Sequence, residues 1–255
     1  MQKTLFIIFC MLLRFHGQSQ FIGFGVRLNI SPPKQTIETG KDVINKMYQK
    51  YRQAPCKCYT FSQKNTHYRN DTMTGTSEWH EYIEFPDKFR IDFGEKTEGN
   101  FVIFKNDSSY NYRKNELKKT KYNTNTLLLL LGGMYYRNFP EVISRLEKEH
   151  YNTQIVSTQK WGKETVYVIG AMKGDTTSNQ IWVSKKNWRV VRIIEKMDET
   201  STMDMTFDAF QKSCNGYTET KVTFKRNGKI EQVEEYYDIK AHDTFPSEVF
   251  SPEKE

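Results

Sequence analysis

Five histidines and four cysteines are the side chains in this sequence best suited to acid–base, nucleophilic or metal chemistry. His16, His67, His80, His150 and His242 are isolated from one another along the chain. His80-Glu81 comes nearest to an acid–base pair, but neighbouring residues of a strand project to opposite faces and cannot share a proton there. The sequence has no G-x-S-x-G elbow, no G-x-x-x-x-G-K-[ST] phosphate loop, no G-x-G-x-x-G fingerprint and no H-E-x-x-H pair. Cys56-x-Cys58 with a distant Cys214 fits no structural-zinc spacing. No catalytic residue, metal or cofactor is assigned, and the chain is read as a binding protein rather than an enzyme.

The N-terminus sets the redox compartment. Lys3 precedes an apolar run over Thr4–Leu13, and Gly17-Gln18-Ser19 supplies small residues for a signal peptidase, the order of a secretory signal peptide over residues 1–19. About ten apolar residues are too few for a hydrocarbon core that needs roughly twenty. Phe9 before Cys10 and an apolar run continuing to Leu13 argue against lipidation at Cys10. The expected product is exported, starts near Gln20 and is soluble. Export permits a disulfide among Cys56, Cys58 and Cys214. One bridge to Cys214, from Cys58 or from Cys56, is expected; three unpaired thiols is the alternative.

Two further stretches carry information. Arg113-Lys114, Lys118-Lys119 and Lys121 form a basic run around a predicted turn. They read either as a solvated turn or as an attraction for an anionic membrane surface or an acidic partner. Nucleic acid is excluded by export and by the lack of an aromatic–basic recognition motif. Leu127 to Leu131 is a run of five leucines closed by Gly132-Gly133. A buried core helix is the plain reading; a mobile apolar plug hinged at the glycines accounts for both the leucines and the glycine pair.

The elements that must position these stretches follow from periodicity. Gly23, Gly25, Pro32 and Pro33 mark residues 20–37 as a linker, leaving 38–255 as a single domain. Thr39 caps a helix in which Val43, Met47 and Tyr51 recur at i, i+4 and i+8, ended by Ala54-Pro55. From Cys58 the period becomes two, and short aromatic and β-branched runs alternate with Asn, Asp, Gly and Pro turns. Leucine favours helix over strand, so residues 126–149 read as two short helices inserted between strands. The meander resumes at Thr153, and Asn227-Gly228 is its strongest hairpin signal. A hydrophobic content of 37% with 14% aromatics suffices for a packed core. The total is about ten or eleven antiparallel strands, each with one apolar and one polar face. Three short helices are thin cover for that much apolar sheet, so the uncovered part becomes a pocket for something apolar.

Several segments together resemble the LolA/LolB-like family of bacterial lipoprotein carriers. Phe61-Ser62-Gln63 is similar to the family's F-x-Q at the end of its first strand. Phe85-Pro86-Asp87-Lys88-Phe89-Arg90-Ile91-Asp92 resembles its apolar turn and "FRWD" segment. Asn123 to Leu131 looks like the approach to its plug helix, and Phe250-Ser251-Pro252 echoes its terminal strand. The likeness spans residues 38–253 and lies in order and spacing. It implies a mainly β fold with a few helices: an unclosed antiparallel β-barrel whose helices lid a concave apolar face.

It also implies a monomeric periplasmic carrier of acylated lipoproteins. Such a carrier is loaded by an inner-membrane releasing complex, touches membranes transiently and delivers to an outer-membrane acceptor. By strand parity the acyl chains would rest against Phe61, Ile83, Phe89, Ile91, Phe101, Ile103, Met203, Met205 and Phe207, beneath Leu127, Leu128 and Leu131. The family often places an arginine, tied to lid movement, where this chain has Phe85, so its latch must work differently here. A binding module for another envelope lipid or glycolipid, and a packed structural domain without ligand, are the alternatives.

Overall fold

The computed structural model describes residues 36–53, 56–213 and 216–251. The expected signal peptide, all but the last two residues of the linker, Cys214 and Pro252 lie outside the described residues.

Helix α1 (Gly40–Tyr51) starts where the sequence places it. Thr39 accepts from the Asp42 amide, and the Asp42 carboxylate accepts from the Thr39 amide, a reciprocal capping box. Its apolar stripe, Val43, Ile44 and Met47, is buried. Fifteen strands and two more α-helices follow. They are β1 (Cys58–Arg69), β2 (Thr72–Glu84), β3 (Lys88–Phe93), β4 (Phe101–Lys105), β5 (Ser108–Arg113) and β6 (Glu116–Tyr122), then α2 (Thr126–Leu131) and α3 (Phe139–Lys148) with a short 3₁₀ turn, Gly133–Tyr136, between them. After these come β7 (Val156–Trp161), β8 (Glu164–Ile169), β9 (Gln180–Ser184), β10 (Val190–Lys196), β11 (Thr202–Asp208), β12 (Gln211–Ser213), β13 (Gly216–Thr218), β14 (Lys221–Arg226) and β15 (Lys229–His242).

Thirteen of the strands form one antiparallel sheet in the order β6-β5-β4-β3-β2-β1-β15-β14-β11-β10-β9-β8-β7. The first and last strands pair at its middle, Cys58 opposite His242. The sheet does not close: β6 and β7 are its two edges, and the insertion carrying α2 and α3 connects them. This is the unclosed antiparallel architecture expected from the sequence. Two differences raise the strand count. Residues 116–122, read as the far side of a basic turn, form edge strand β6, exposed at every residue. Charged side chains along an edge discourage pairing with another chain, so lysines here suit a strand left exposed among the described residues. Residues 217–226 split at 219–220, their first part joining β12 in a separate two-stranded ribbon.

The inner face has two halves. Over β8–β11 and β14 the three helices complete a core of Ile44, Met47, Leu130, Val142, Leu146, Ile169, Ile181, Ile193, Met205, Phe207 and Val222. Over β1–β3 and β15 the helical cover is α2 and its neighbouring turn, in a cluster of Tyr59, Phe85 and Leu128 with Ile83, Phe89, Tyr136 and Ile239, and the β12–β13 ribbon lies beside Tyr59, Tyr236 and Ile239. On the outer face Phe101, Ile103, Tyr82, Tyr110 and Tyr112 are covered by Phe245, Val249 and Phe250 of the C-terminal segment. Arg90 fastens that segment by donating to the Val249 carbonyl at 3.1 Å while pairing with Asp92.

Candidate ligand cavity

The thinly covered half of the inner face encloses a cavity of about 470 Å³, within the ~300–1,000 Å³ range of small-molecule pockets. Its wall comprises Phe61, Trp79, Ile83, Phe89, Ile91, Phe104, Met203 and Phe224, and Leu127, Leu128, Leu130 and Leu131 roof it. Alternation places these strand residues on one face, and register aligns them: Phe61 is opposite Glu81, Glu81 opposite Ile91, and Phe89 opposite Phe104.

The roof helix is short but well specified. Asn125 caps it, its side-chain oxygen accepting from the Leu128 amide at 2.9 Å. With leucine at five successive positions, the helix is apolar on every side. Leu129 and Leu130 are buried in the helical core, Leu127 and Leu131 pack against it, and all but Leu129 of the five line the cavity.

What holds the roof down is aromatic. Phe85, 6% exposed, meets Tyr59 edge-on, with centroids 6.1 Å apart, and stacks on Tyr136 at 5.6 Å. The Tyr136 hydroxyl donates to the Cys56 carbonyl, tying the turn after α2 to the approach to β1. The glycine pair makes this closeness possible. A Cβ on Gly132 would stand 2.0 Å from Phe85 Cζ, and one on Gly133 would stand 2.6 Å from the Pro86 carbonyl. Gly132 has φ −179°, open to any residue, so contact rather than backbone freedom demands glycine there.

One part of the wall is acidic. Glu81, Glu219 and Glu234 line the cavity together with Gln232 and Tyr236. Glu234 accepts from the Tyr236 hydroxyl at 2.6 Å and from Gln232 Nε2 at 2.7 Å. Burial raises the Glu234 carboxyl to about 7, opposed by those hydrogen bonds and one from Gln63. Burial likewise raises Glu219 to about 7, and Glu81 is pushed well above the carboxylate range by burial and then by repulsion from Glu234. Tyr236, enclosed beside them, is raised by burial and by the same carboxylates. Among the described residues no group of three or more His, Cys, Asp or Glu is arranged to hold a metal ion.

Of the residues that strand parity assigns to the cavity, Phe61, Ile83, Phe89, Ile91 and Met203 line it, as do Leu127, Leu128 and Leu131. Phe101 and Ile103 do not. They lie on the outer face, because Phe89 opposite Phe104 and Ile91 opposite Val102 turn the other parity of β4 inward. The run Phe101-Val102-Ile103-Phe104 is apolar at both parities and carries no readable phase. Met205 and Phe207 share the inner face with Met203 but are sealed in the helical core, beyond the cavity's reach.

Of the two cysteines left open for the bridge, Cys58 is excluded. Cys58 is a free, buried thiol near the Asp243 carbonyl, held within the β1 ladder, and Cys56, in the irregular segment before that strand, is the disulfide-bonded residue. Sequence reasoning missed the acidic residues, although the signal was present. Glu81 stands in phase with Trp79 and Ile83, and Glu234 with Gln232 and Tyr236. His80 points the other way, to Ser62 Oγ at 3.0 Å.

No protein-family model and no curated protein matches the sequence. Solved structures do resemble the fold. A DUF1329 family protein from Desulfovibrio piger superposes with a TM-score of 0.57 at 14% identity, over 84% of this chain and 96% of its own. A LolA superfamily protein from Nitrosomonas europaea gives 0.54 at 13%, over 81% and 96%. A domain assigned as an outer membrane lipoprotein-sorting protein from Vibrio parahaemolyticus gives 0.59 at 13%, over 83% and 96%. At such identities the likeness is one of fold, and the chain has the LolA-like fold that its sequence resembles.

Proposed function

We propose that this protein is an exported carrier that shelters the acyl chains of lipoproteins in the cavity beneath α2 and moves them toward the outer membrane. The observation that carries the reading is a largely apolar space left open on the inner face of a LolA-like sheet, beneath a helix of five leucines. Burying each methylene is worth about 0.8 kcal/mol, so one or two chains are held firmly without covalent chemistry. Leu127, Leu128 and Leu131 roof the space, and Phe85 with Tyr59 and Tyr136 is the latch that replaces a basic side chain. The latch combines the Phe85 ring contacts with the hydrogen bond from Tyr136 to the Cys56 carbonyl; its aromatic part yields when an entering chain offers the same apolar surface. Lysines along β6 attract the carrier to anionic membrane surfaces, where a releasing complex and an acceptor would exchange cargo with it.

The test is release from spheroplasts. Purified protein is added, and the soluble fraction is probed for acylated lipoproteins in complex with it. Lipoproteins should appear with the wild type and be lost with Leu128→Glu, which puts a charge into the roof. No release by a folded wild type refutes the lipoprotein reading. Lipid recovered by extraction would then point to another envelope lipid, and none to a packed domain.

A further inference from the structure

The acidic patch on the cavity wall contributes nothing to holding acyl chains. Glu81 is 4% exposed and lines the cavity, yet among the described residues no hydrogen bond or ion pair engages its carboxyl. On β1, between Glu81 of β2 and Glu234 of β15, Gln63 and Asn65 are 1% and 0% exposed. The first leaves its side-chain oxygen unpartnered and the second its amide nitrogen. Asn65 Oδ1 is already committed, accepting from Gln63 at 2.6 Å and from Gln232 at 2.8 Å. Buried polar groups are nearly always satisfied, and leaving several unmade in one place is costly unless something else completes them.

We infer that the patch receives a primary ammonium group of the ligand, so that the cavity selects amphiphiles carrying an amine beside their acyl chain. This rests on the acyl-binding reading above and names the class of amphiphile. The free positions that face the cavity are acceptors, the two oxygens of Glu81, with the unpartnered Gln63 oxygen buried in the strand alongside rather than in the cavity wall, and an ammonium offers three donors and no acceptor. A quaternary ammonium has no N–H to give them, and an anionic head would meet carboxylates. Other charges around the cavity do not neutralise the patch. Glu231 of β15 is paired with Arg226 at 2.7 Å. Arg189, which precedes β10, stacks over Phe210 and Tyr217 at 5.0 and 4.0 Å and forms no ion pair among the described residues. Glu219, before β14, adds negative charge when ionised, and α2 with its following turn brings no charge.

An ammonium entering such a site draws the carboxyls into their ionised form, releasing protons near neutrality. Affinity for an amine therefore rises from pH 5 to pH 8, while affinity for an uncharged amphiphile stays level. A lipid headgroup and an acylated peptide both present such an amine, and the chemistry recognised is the same.

The test uses the whole protein loaded with Nile red and displaced by dodecylamine, dodecanol, dodecyltrimethylammonium or laurate. At pH 7.5 dodecylamine should displace the dye at a concentration at least about tenfold below the other three, the scale of one charge-assisted hydrogen bond. That preference should vanish at pH 5 and in Glu81→Gln, with Glu234→Gln as a second variant should the first not fold. Equal displacement by dodecylamine and dodecanol, or a preference that survives both variants, overturns the inference. If none of the four displaces the dye, the acyl-binding reading falls and this one with it. Lysophosphatidylethanolamine and an S-palmitoylated peptide with a free N-terminus, each against its N-acetylated form, then identify the source. Neither surpassing its acetylated form also overturns the inference.

Discussion

Replacing Gly132 by alanine tests the aromatic latch directly. The new Cβ would lie 2.0 Å from Phe85 Cζ and 2.5 and 2.6 Å from the two Cε atoms, far inside van der Waals contact. The ring cannot retreat, since Tyr59 stands edge-on to it and Tyr136 stacks on it. Overpacking of this kind costs about 1–3 kcal/mol, and the lost flexibility of glycine in the unfolded chain returns about 0.4–1 kcal/mol. The net expectation is a destabilisation of about 1–2 kcal/mol, measured by urea unfolding. Phe85→Leu removes the ring atoms that the Cβ would strike, at a cost of its own of about 1–2 kcal/mol for the lost aromatic volume. In the double variant the alanine methyl occupies the vacated space. The two losses should then sum to less than their separate values, with a coupling of about 1 kcal/mol or more. The single Gly132→Ala variant should also exchange Nile red faster, because its roof no longer seats. Additivity within about 0.5 kcal/mol, or a Gly132→Ala protein as stable as wild type, would refute the latch.

Two further outcomes follow from named side chains. Glu234 and Glu219 titrate near 7 in the folded protein against 4.5 as free groups, so the folded state holds more protons across that window. Stability therefore falls as pH rises from 4.5 to 7 and then levels off, by about 3 kcal/mol for each group; urea midpoints at pH 5 and 8 should show the drop and Glu234→Gln should shrink it, whereas a rise over that range contradicts the burial argument. Asn125→Ala removes the cap of the roof helix and should cost about 1 kcal/mol, seen as faster amide exchange at Leu128–Leu130 with α1 and α3 unaffected; uniform exchange across the three helices would show that the roof does not move independently.

Much of this molecule is legible without its coordinates. Thr39 three residues before Asp42, with Val43 and Met47 on one stripe, specifies α1, because a cap and a 3.6-residue period are local properties. Asn227-Gly228 specifies the β14–β15 hairpin for the same reason. Glu116–Tyr122 was harder to read, since a strand at a free edge has no apolar face and shows no alternation. The order of Phe61, the Phe85–Asp92 segment and the leucine run carries the fold, and through strand parity most of the cavity wall.

Tertiary structure decided the rest wherever a residue's neighbours are remote in sequence. Phe101 and Ile103 face outward because pairing with Phe89 and Ile91 sets the phase of an all-apolar strand. Met205 and Phe207 miss the cavity only because helices from two other parts of the chain cover them. Cys56 rather than Cys58 is the bridged thiol, a choice made by where the ladder of β1 begins. Glu81 and Glu234 become one acidic patch only when β2, β1 and β15 lie side by side, joining residues more than half the chain apart. Alternation along one strand says which face a side chain takes; what stands opposite it is set by register and packing between strands.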